Sequence, residues 1–275
     1  MKVLGEGDEG NASPIFNHQI SYTMSSTINQ SEIRVGNFTS SEIHKLMSNG
    51  KKAGELGKPF FTYVEEKQME RRLGRSLSED VTARALSWGL LLEKRVFNLL
   101  GIDYKESSQE TIVHPRYDFW VGSPDGQEFD EAGDKLAEIK CPLTLKSFCQ
   151  LVDCIKEGLS GLEIMNLIRE NHTDGDKFYW QCVSNAILTG SKCAELIVYM
   201  PYKSELAAIR FLATNYDGFD QWKFKWIDQA TDEELPFLIE GGYYKNLNKI
   251  MFEVPEADKA LLTERVLMAQ KLLKS

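Results

Sequence analysis

The spacing of apolar residues predicts helices in the first part of the chain. Residues 1–30 are polar and rich in Ser, Asn and Gly, which is typical of a flexible N-terminal segment. A helix is predicted to begin at a Thr39 or Ser40 cap and to end at Gly50. A second helix is predicted over residues 61–73.

A third helix is predicted over 79–100, and because residues 85–92 are apolar nearly all round, we expect that part to be buried. Beyond it the apolar period becomes that of a strand at 118–122, before a Ser-Pro-Asp-Gly turn. The remaining predictions are strands over KLAEIKCPL, AELIVYMP, 222–227 and 250–254, and helices over 146–170, over 176–190 and after Pro255. This order predicts an α/β (α+β) fold in which helices flank a small mixed β-sheet.

Composition is that of an ordinary globular protein, with 275 residues, 42% hydrophobic residues and a formal net charge of −9. We expect one domain over 31–275, with an acidic portion at 201–275. No apolar run approaches the roughly 18–20 residues that cross a bilayer, and the first residues lack the apolar stretch of a secretory signal. The five cysteines contain no CxxC pair, which indicates reduced thiols in a cytosol, and the four histidines lack zinc-site spacing. The acidic total argues at first against a nucleic-acid partner.

Three polar residues are predicted to meet where two strands end. Asp125 stands in a turn after one strand, and Glu138 and Lys140 lie on one face of the next. Two carboxylates held a few ångströms apart repel each other unless they share a proton or a cation, and hard oxygen ligands suit Mg²⁺ or Mn²⁺. A lysine beside a metal-bound water can deprotonate or orient it, or stabilise transition-state charge. The pattern PD…ExK therefore predicts metal-dependent phosphodiester cleavage, although a surface turn before an exposed, salt-bridged strand would leave the same pattern.

Longer motifs make this pattern specific. The segments IRVGNFTSSEIHKLM, ALSWGLLLEKRVFNLL, GSPDG, EIKCP and YWQCVSNAILTG follow one another along more than half of the chain. In this order they resemble the phage lambda exonuclease family, the YqaJ-like viral recombinase and alkaline-exonuclease branch of the PD-(D/E)xK nucleases. The resemblance implies a restriction-endonuclease-like core. It also implies a metal-dependent 5′→3′ exonuclease that degrades one strand of linear double-stranded DNA from its ends and leaves 3′ single strands for phage recombination.

The resemblance implies roles for particular residues of the active site. Lys140 would be the catalytic lysine, and Gln181 would lie by the metal site and contact the scissile or terminal phosphate. Two Mg²⁺ ions are implied, with Mn²⁺ as the alternative. The implied metal ligands are carboxylates and one backbone carbonyl: Asp125, Glu138, Glu93 directly or through water, and the carbonyl of Ile139.

A second group of residues matches the family's site for a 5′-terminal phosphate. Arg34 and Ser41 would hold the phosphate and Ser123 would complete the pocket, since an Arg fork, hydroxyls and a helix N-terminus suit a dianion. The plainer interpretations are a surface arginine and a simple helix cap. Leu86 matches an apolar residue that wedges the duplex end apart, and a core leucine is the equally good alternative.

Charge is segregated along the chain, which weakens the argument from the acidic total. Residues 45–75 contain eight Lys and Arg against four Glu, whereas residues 215–260 contain ten acids against five Lys. A local basic surface can bind the DNA backbone while the rest stays acidic. A solvated helix face explains the basic run equally well.

Two other functions remain open at this point. One is a different PD-(D/E)xK nuclease, of the RecB or Cas4 type or a restriction-like endonuclease, and the other is a non-catalytic DNA-end-binding protein. The Cas4 type carries an iron–sulfur cluster on cysteines near its C-terminus, but the last cysteine here is Cys193, so we expect no such cluster. The implied partners are double-stranded DNA ends, a phage single-strand annealing protein and further copies in a ring-shaped homotrimer, without a membrane, in the cytoplasm of a bacterial host.

Overall fold

The structure is a computed structural model that describes residues 30–77, 84–100, 105–106, 111–128, 134–216 and 221–274. Residues 1–29 and the beginning of the helix predicted at 79–100 lie outside these ranges. The helices are α1 (Gln30–Arg34), α2 (Lys58–Leu73), α3 (Arg84–Leu100), α4 (Leu145–Val152), α5 (Gly161–Asn171), α6 (Gly175–Thr189), α7 (Leu206–Thr214), α8 (Lys225–Gln229) and α9 (Glu256–Leu273). The strands are β1 (Phe38–Thr39), β2 (Lys105–Glu106), β3 (Ile112–His114), β4 (Tyr117–Gly122), β5 (Gly126–Gln127), β6 (Lys135–Lys140), β7 (Cys193–Tyr199) and β8 (Leu247–Glu253). Short 3-10 helices cover Ser40–Met47, Lys203–Glu205, Gln221–Phe224 and Asp232–Glu234.

The described strands form two small mixed sheets. The larger has the order β2-β5-β6-β7-β8, in which β6 and β7 are parallel and the other neighbours are antiparallel. The smaller has the order β1-β4-β3, with β1 parallel to β4. Central parallel strands are covered on both faces, and β6 and β7 accordingly bury nearly every residue.

Helices cover both faces of the larger sheet, as the sequence predicted. One apolar core lies beneath α6 and α9, and a second lies beneath α3, α7 and α8. Helix α6 is the central element, since it packs against α5, α9, β6 and β7 and buries every residue from Tyr179 to Ala186. None of the described helices is both long and apolar enough to span a membrane.

Two sequence predictions of secondary structure are wrong. The helix predicted at 146–170 is divided into α4 and α5, because Gly158 turns the chain with a φ of 83° and Ser160 begins a new helix in a capping box with Glu163. The strand predicted at 222–227 is a 3-10 turn that continues into α8. Its buried residues, Phe224 and Ile227, stand three positions apart, which is a helical spacing.

Two other helices differ from their predicted form. The helix predicted from Thr39 to Gly50 is a 3-10 helix that ends at Met47, and the Thr39 side chain forms no cap. Helix α3 is not buried all round, because the Leu86 side chain is 67% exposed while Trp88 is fully buried. The core-leucine interpretation of Leu86 is therefore wrong.

Candidate active site

Asp125 directly precedes β5 and lies against the edge of β6. Strand β5 pairs Gly126 with Ala137 of β6, so the preceding residue, Asp125, lies beside the next part of that edge. Its Oδ2 accepts a hydrogen bond of 2.6 Å from the backbone N–H of Ile139. The N–H and C=O of one strand residue point to the same side, so the Ile139 carbonyl faces the Asp125 side of β6.

Glu138 is the most buried carboxylate of this region, with 1% of its surface exposed. Its Oε1 accepts hydrogen bonds from Lys140 Nζ, at 2.6 Å, and from Gln181 Nε2. Its Oε2 accepts one from Asn185 Nδ2 at 3.1 Å. Lys140 Nζ also donates to Gln181 Oε1 at 3.2 Å, which closes a ring of polar contacts. The structure thus brings Glu138, Lys140 and Gln181 together next to the contact between Asp125 and Ile139, and the catalytic roles of these residues remain predictions.

Like charges crowd this site. Burial raises the pKa of Asp125 well above its usual value, and the negative charges of Glu138 and Glu93 raise it further. The charge of Glu93 on α3 therefore acts on Asp125, and its role toward a metal stays a prediction. Burial alone would lower the pKa of Lys140, but Glu138 and Asp125 outweigh it and raise that pKa. The lysine is consequently a cation in this state, which suits it to balance charge.

The donor atoms at this site fit a hard divalent metal. No three side chains of the His, Cys, Asp or Glu type form a metal-binding cluster within the part of the chain that the structure describes. Mg²⁺ needs fewer protein ligands than that, since it keeps several waters and takes one or two carboxylates. Asp125, Glu138 and the Ile139 carbonyl supply such a set, and a bound cation would relieve the repulsion between the carboxylates that contributes to the raised pKa of Asp125.

The predicted phosphate residues Arg34 and Ser123 are in contact, 89 positions apart in sequence. Arg34 Nη2 donates to Ser123 Oγ at 2.8 Å, and Arg34 Nε donates to Thr111 Oγ1 at 3.3 Å. Ser123 Oγ also donates to Thr111 Oγ1 at 3.4 Å. Among the described residues Arg34 forms no ion pair, so its charge is left for an anion. We call Arg34, Thr111 and Ser123 the arginine corner.

Ser41 follows the parallel pair of β1 and β4 at the same end as the arginine corner. Thr39 of β1 lies opposite Val121 of β4, so Ser41 and Ser123 each follow the pair by two residues. The Ser41 hydroxyl lies 3.4 Å from that of Thr39. The structure places Ser41 near the corner through this register, without a direct contact to Arg34.

A tight turn holds Arg34 in place. Gly36 has a φ of 68°, and a Cβ there would lie 2.3 Å from the Arg71 side chain. Its N–H donates to Glu70 Oε2 at 2.9 Å, and its carbonyl accepts from Arg71 Nε at 2.8 Å. Glu70 also pairs with the buried Lys67 at 2.7 Å. The predicted basic surface at 45–75 is therefore too broad, because part of its charge is used inside the protein.

Helix α6 joins the two halves of the site through buried polar residues. Ser184 lies next to Asn185, and its hydroxyl contacts that of Ser40 at 2.7 Å and accepts from Trp120 Nε1 at 2.9 Å. Gly122 leaves room for these groups, since a Cβ there would lie 2.1 Å from the Ser40 hydroxyl. The helix that contacts Glu138 therefore also contacts the residue before Ser41.

Sequence reasoning missed Thr111 and Asn185. Thr111 precedes a short strand and carries no local signal. Asn185 had a signal that was not used, because it stands four residues after Gln181 and thus on the same face of α6. Its position in a buried helix also requires a polar partner.

No protein-family model and no curated protein matches the chain. Solved structures of exonucleases share its fold. The alkaline exonuclease LHK-Exo of Laribacter hongkongensis, in complex with dAMP, has a TM-score of 0.53 and 17% identity over 89% of this chain and 91% of that one. A second crystal structure of LHK-Exo has a TM-score of 0.52 and 18% identity over the same shares. A phage-related exonuclease from Haemophilus somnus 129PT has a TM-score of 0.54 and 16% identity over 86% of this chain and 93% of that one. The predicted nuclease-like α/β fold class is confirmed.

Proposed function

We propose that the chain is a metal-dependent DNA exonuclease of the lambda exonuclease type. The observation that carries the proposal is the cluster of Asp125, Glu138 and Lys140 at the ends of β5 and β6. It stands on a fold that this chain shares with exonucleases. Three of the segments that resemble the lambda exonuclease family, GSPDG, EIKCP and YWQCVSNAILTG, supply residues of this cluster, which a chance match of PD and ExK would not explain.

The side chains divide the work of phosphodiester hydrolysis. Asp125, Glu138 and the Ile139 carbonyl would hold the divalent metal, with Glu93 acting directly or through water. When bound, the metal supplies an activated water and neutralises charge on the leaving oxygen. The Lys140 ammonium, held 2.6 Å from Glu138, stabilises the negative charge that develops on the phosphate.

The arginine corner would receive the 5′-terminal phosphate, which sets the 5′→3′ direction. Arg34 offers a guanidinium that forms no ion pair with any described residue, and the hydroxyls of Ser123 and Ser41 lie at the same end of the β1–β4 pair. Gln181 would contact the phosphate next to the metal. The exposed Leu86 would separate the first base pair, because an apolar side chain can wedge between stacked bases.

The decisive experiment compares linear and closed circular duplex DNA with Mg²⁺ or with EDTA. We expect mononucleotides from linear DNA with Mg²⁺, loss of a 5′ label before a 3′ label, and an intact circle. Cutting of the closed circle would identify an endonuclease instead. Mn²⁺ in place of Mg²⁺ is expected to support degradation as well.

Two variants separate catalysis from DNA binding. Glu138→Gln keeps the shape of the side chain but removes its charge, and Lys140→Met removes the cation. Each should lower turnover by about 10²–10³-fold while duplex ends still bind in a mobility-shift assay. Unchanged turnover in both would refute the site, and wild-type end binding without degradation would identify a non-catalytic end-binding protein.

Direction and end preference have their own test. Linear DNA with 5′-phosphorylated ends should be degraded faster than the same DNA with 5′-hydroxyl ends. Arg34→Met should remove most of the difference, since only the phosphorylated end presents the dianion. Equal rates on both ends in the wild-type protein would contradict the role of Arg34 and leave the metal site untouched.

Assembly and partners follow from the family resemblance. We propose a ring-shaped homotrimer, which would keep the enzyme on one strand, and a single-strand annealing protein that receives the 3′ strand in a phage recombination system. Light scattering of the purified protein gives its mass in solution. A monomer at working concentrations would contradict the ring without affecting the chemistry.

A further inference from the structure

Asn185 occupies a position that packing alone does not explain. Its side chain is fully buried, and its Nδ2 donates to Glu138 Oε2 at 3.1 Å. Its Oδ1 is buried and has no hydrogen-bond partner among the described residues. A buried amide with an unsatisfied oxygen is unfavourable compared with an apolar side chain of the same shape. The hydrogen bond from Nδ2 to Glu138 is therefore the contact that favours an amide at this position.

The orientation of the amide follows from its surroundings. Turning it by 180° would place Oδ1 against the carboxylate of Glu138, so that two acceptors would face each other. The carboxylate therefore determines which atom of Asn185 approaches it.

The two oxygens of Glu138 differ in their contacts. Oε1 accepts from both Lys140 and Gln181, whereas Oε2 accepts only from Asn185 in the described structure. A carboxylate oxygen offers about two lone-pair sites, so Oε1 is saturated and Oε2 retains one. Oε2 is consequently the oxygen that can bind a cation, and Asn185 sets the rotation at which it is presented.

We propose that Asn185 is a positioning residue that fixes the Glu138 carboxylate for metal binding through Oε2. The inference rests on the proposed metal-dependent function and extends it to a residue that touches neither DNA nor metal. Loss of such an outer contact typically lowers metal affinity by about 10–100-fold.

The test is calorimetric titration of metal-free protein with MnCl₂, with and without Asn185→Leu. Leucine has a similar volume and removes both the donor and the unsatisfied oxygen, so we expect a folded protein with a dissociation constant about 10–100-fold higher. Degradation of linear DNA should need correspondingly more Mn²⁺ and approach the wild-type rate at saturation. If Asn185→Leu does not unfold cooperatively, Asn185→Ala takes its place in the same titration.

Ser184→Ala is the matched control, because Ser184 is equally buried on the same helix and does not contact Glu138. It should lower the melting temperature and leave the Mn²⁺ dissociation constant within about 2-fold, as a purely structural change would. Equal Mn²⁺ affinities of wild type and Asn185→Leu would overturn the proposal. Absence of Mn²⁺ binding in the wild-type protein would overturn the proposed metal site itself, so the two failures are distinguishable.

Discussion

Replacing Asp125 by asparagine should stabilise the metal-free protein. Burial and the charges of Glu138 and Glu93 raise the pKa of this carboxyl well above its usual value. A carboxyl with a raised pKa supports folding at low pH, and this contribution is lost as the pH rises through the folded-state pKa. Asparagine carries no such penalty, and its Oδ1 can still accept the hydrogen bond from Ile139 N–H.

The size of the effect depends on how much repulsion water screens. Asp125 is only partly buried and Lys140 offsets some of the repulsion, so we expect a gain of no more than about 1–2 kcal/mol, as is common for a single stabilising substitution. A chain of this length gains about 2–4 °C in melting temperature per kcal/mol, which predicts a rise of about 2–8 °C. Metal should reverse the order of the two melting temperatures. A metal ion at 100 times its dissociation constant would stabilise only the wild type, which can bind it, by about 2.7 kcal/mol.

Thermal unfolding followed by circular dichroism in EDTA tests this directly. Asp125→Asn should melt above the wild type at alkaline pH, and the difference should shrink steadily as the pH is lowered, because protonation of the wild-type carboxyl removes its charge. Asp118→Asn, at an exposed position on β4, should change stability by less than about 0.5 kcal/mol over the same pH range. A lower melting temperature of Asp125→Asn in EDTA at alkaline pH would refute the electrostatic reasoning.

Three further changes test other parts of the structure. Thr111→Val should reduce the preference for 5′-phosphorylated ends by about 2–12-fold in competition degradation, the value of one hydrogen bond, while Thr111→Ser retains it. Gly122→Ala should lower the free energy of unfolding in urea by about 1–3 kcal/mol, and an unchanged midpoint would mean that the Ser40 hydroxyl can move away. Glu70→Gln should cost about 3–5 kcal/mol, because it leaves Lys67 buried without its partner. Burial would raise the pKa of Glu70, but Lys67 and backbone N–H groups outweigh it and lower that pKa. The ionised Glu70 therefore stabilises the wild type above about pH 4, and this contribution should be lost as the pH falls further. Glu70→Gln should not show this loss.

Most helices and strands could be predicted from the sequence, whereas the break inside 146–170 and the helical turn at 222–227 could not. The strand at 193–199 and the helix at 175–189 were located because each is an extended segment of mostly apolar residues, 7 and 15 residues long. The run at 222–227 contains only a few apolar residues, and such a run fits a strand and a helical turn equally well. Tertiary packing against α3 and α7, which no local pattern contains, decides between them.

The candidate site shows the same division between local and distant information. Asp125, Glu138 and Lys140 could be predicted because they lie within 16 positions of one another, the first in a turn after one strand and the other two on one face of the next. The contact of Arg34 with Thr111 joins residues 77 positions apart, and that of Asn185 with Glu138 joins residues 47 apart. Register between strands and the placement of α6 create these contacts, so they emerge only from the assembled fold.

The spacing of the buried polar residues on α6 also predicts where their hydrogen-bond partners lie. Gln181, Ser184 and Asn185 interrupt an α6 that is otherwise apolar from Tyr179 to Ala186. A helix buried on every side must satisfy each polar group from a neighbouring element, because an unpaired one would destabilise the fold. Three such residues at positions i, i+3 and i+4 share one face, so their partners must lie on the elements that this face contacts. Those partners are Glu138 in one sheet and Ser40 and Trp120 around the other. The polar face of α6 therefore joins Glu138 of the larger sheet to Ser40 and Trp120 at the smaller one, which explains why this helix retains polar groups in its buried part.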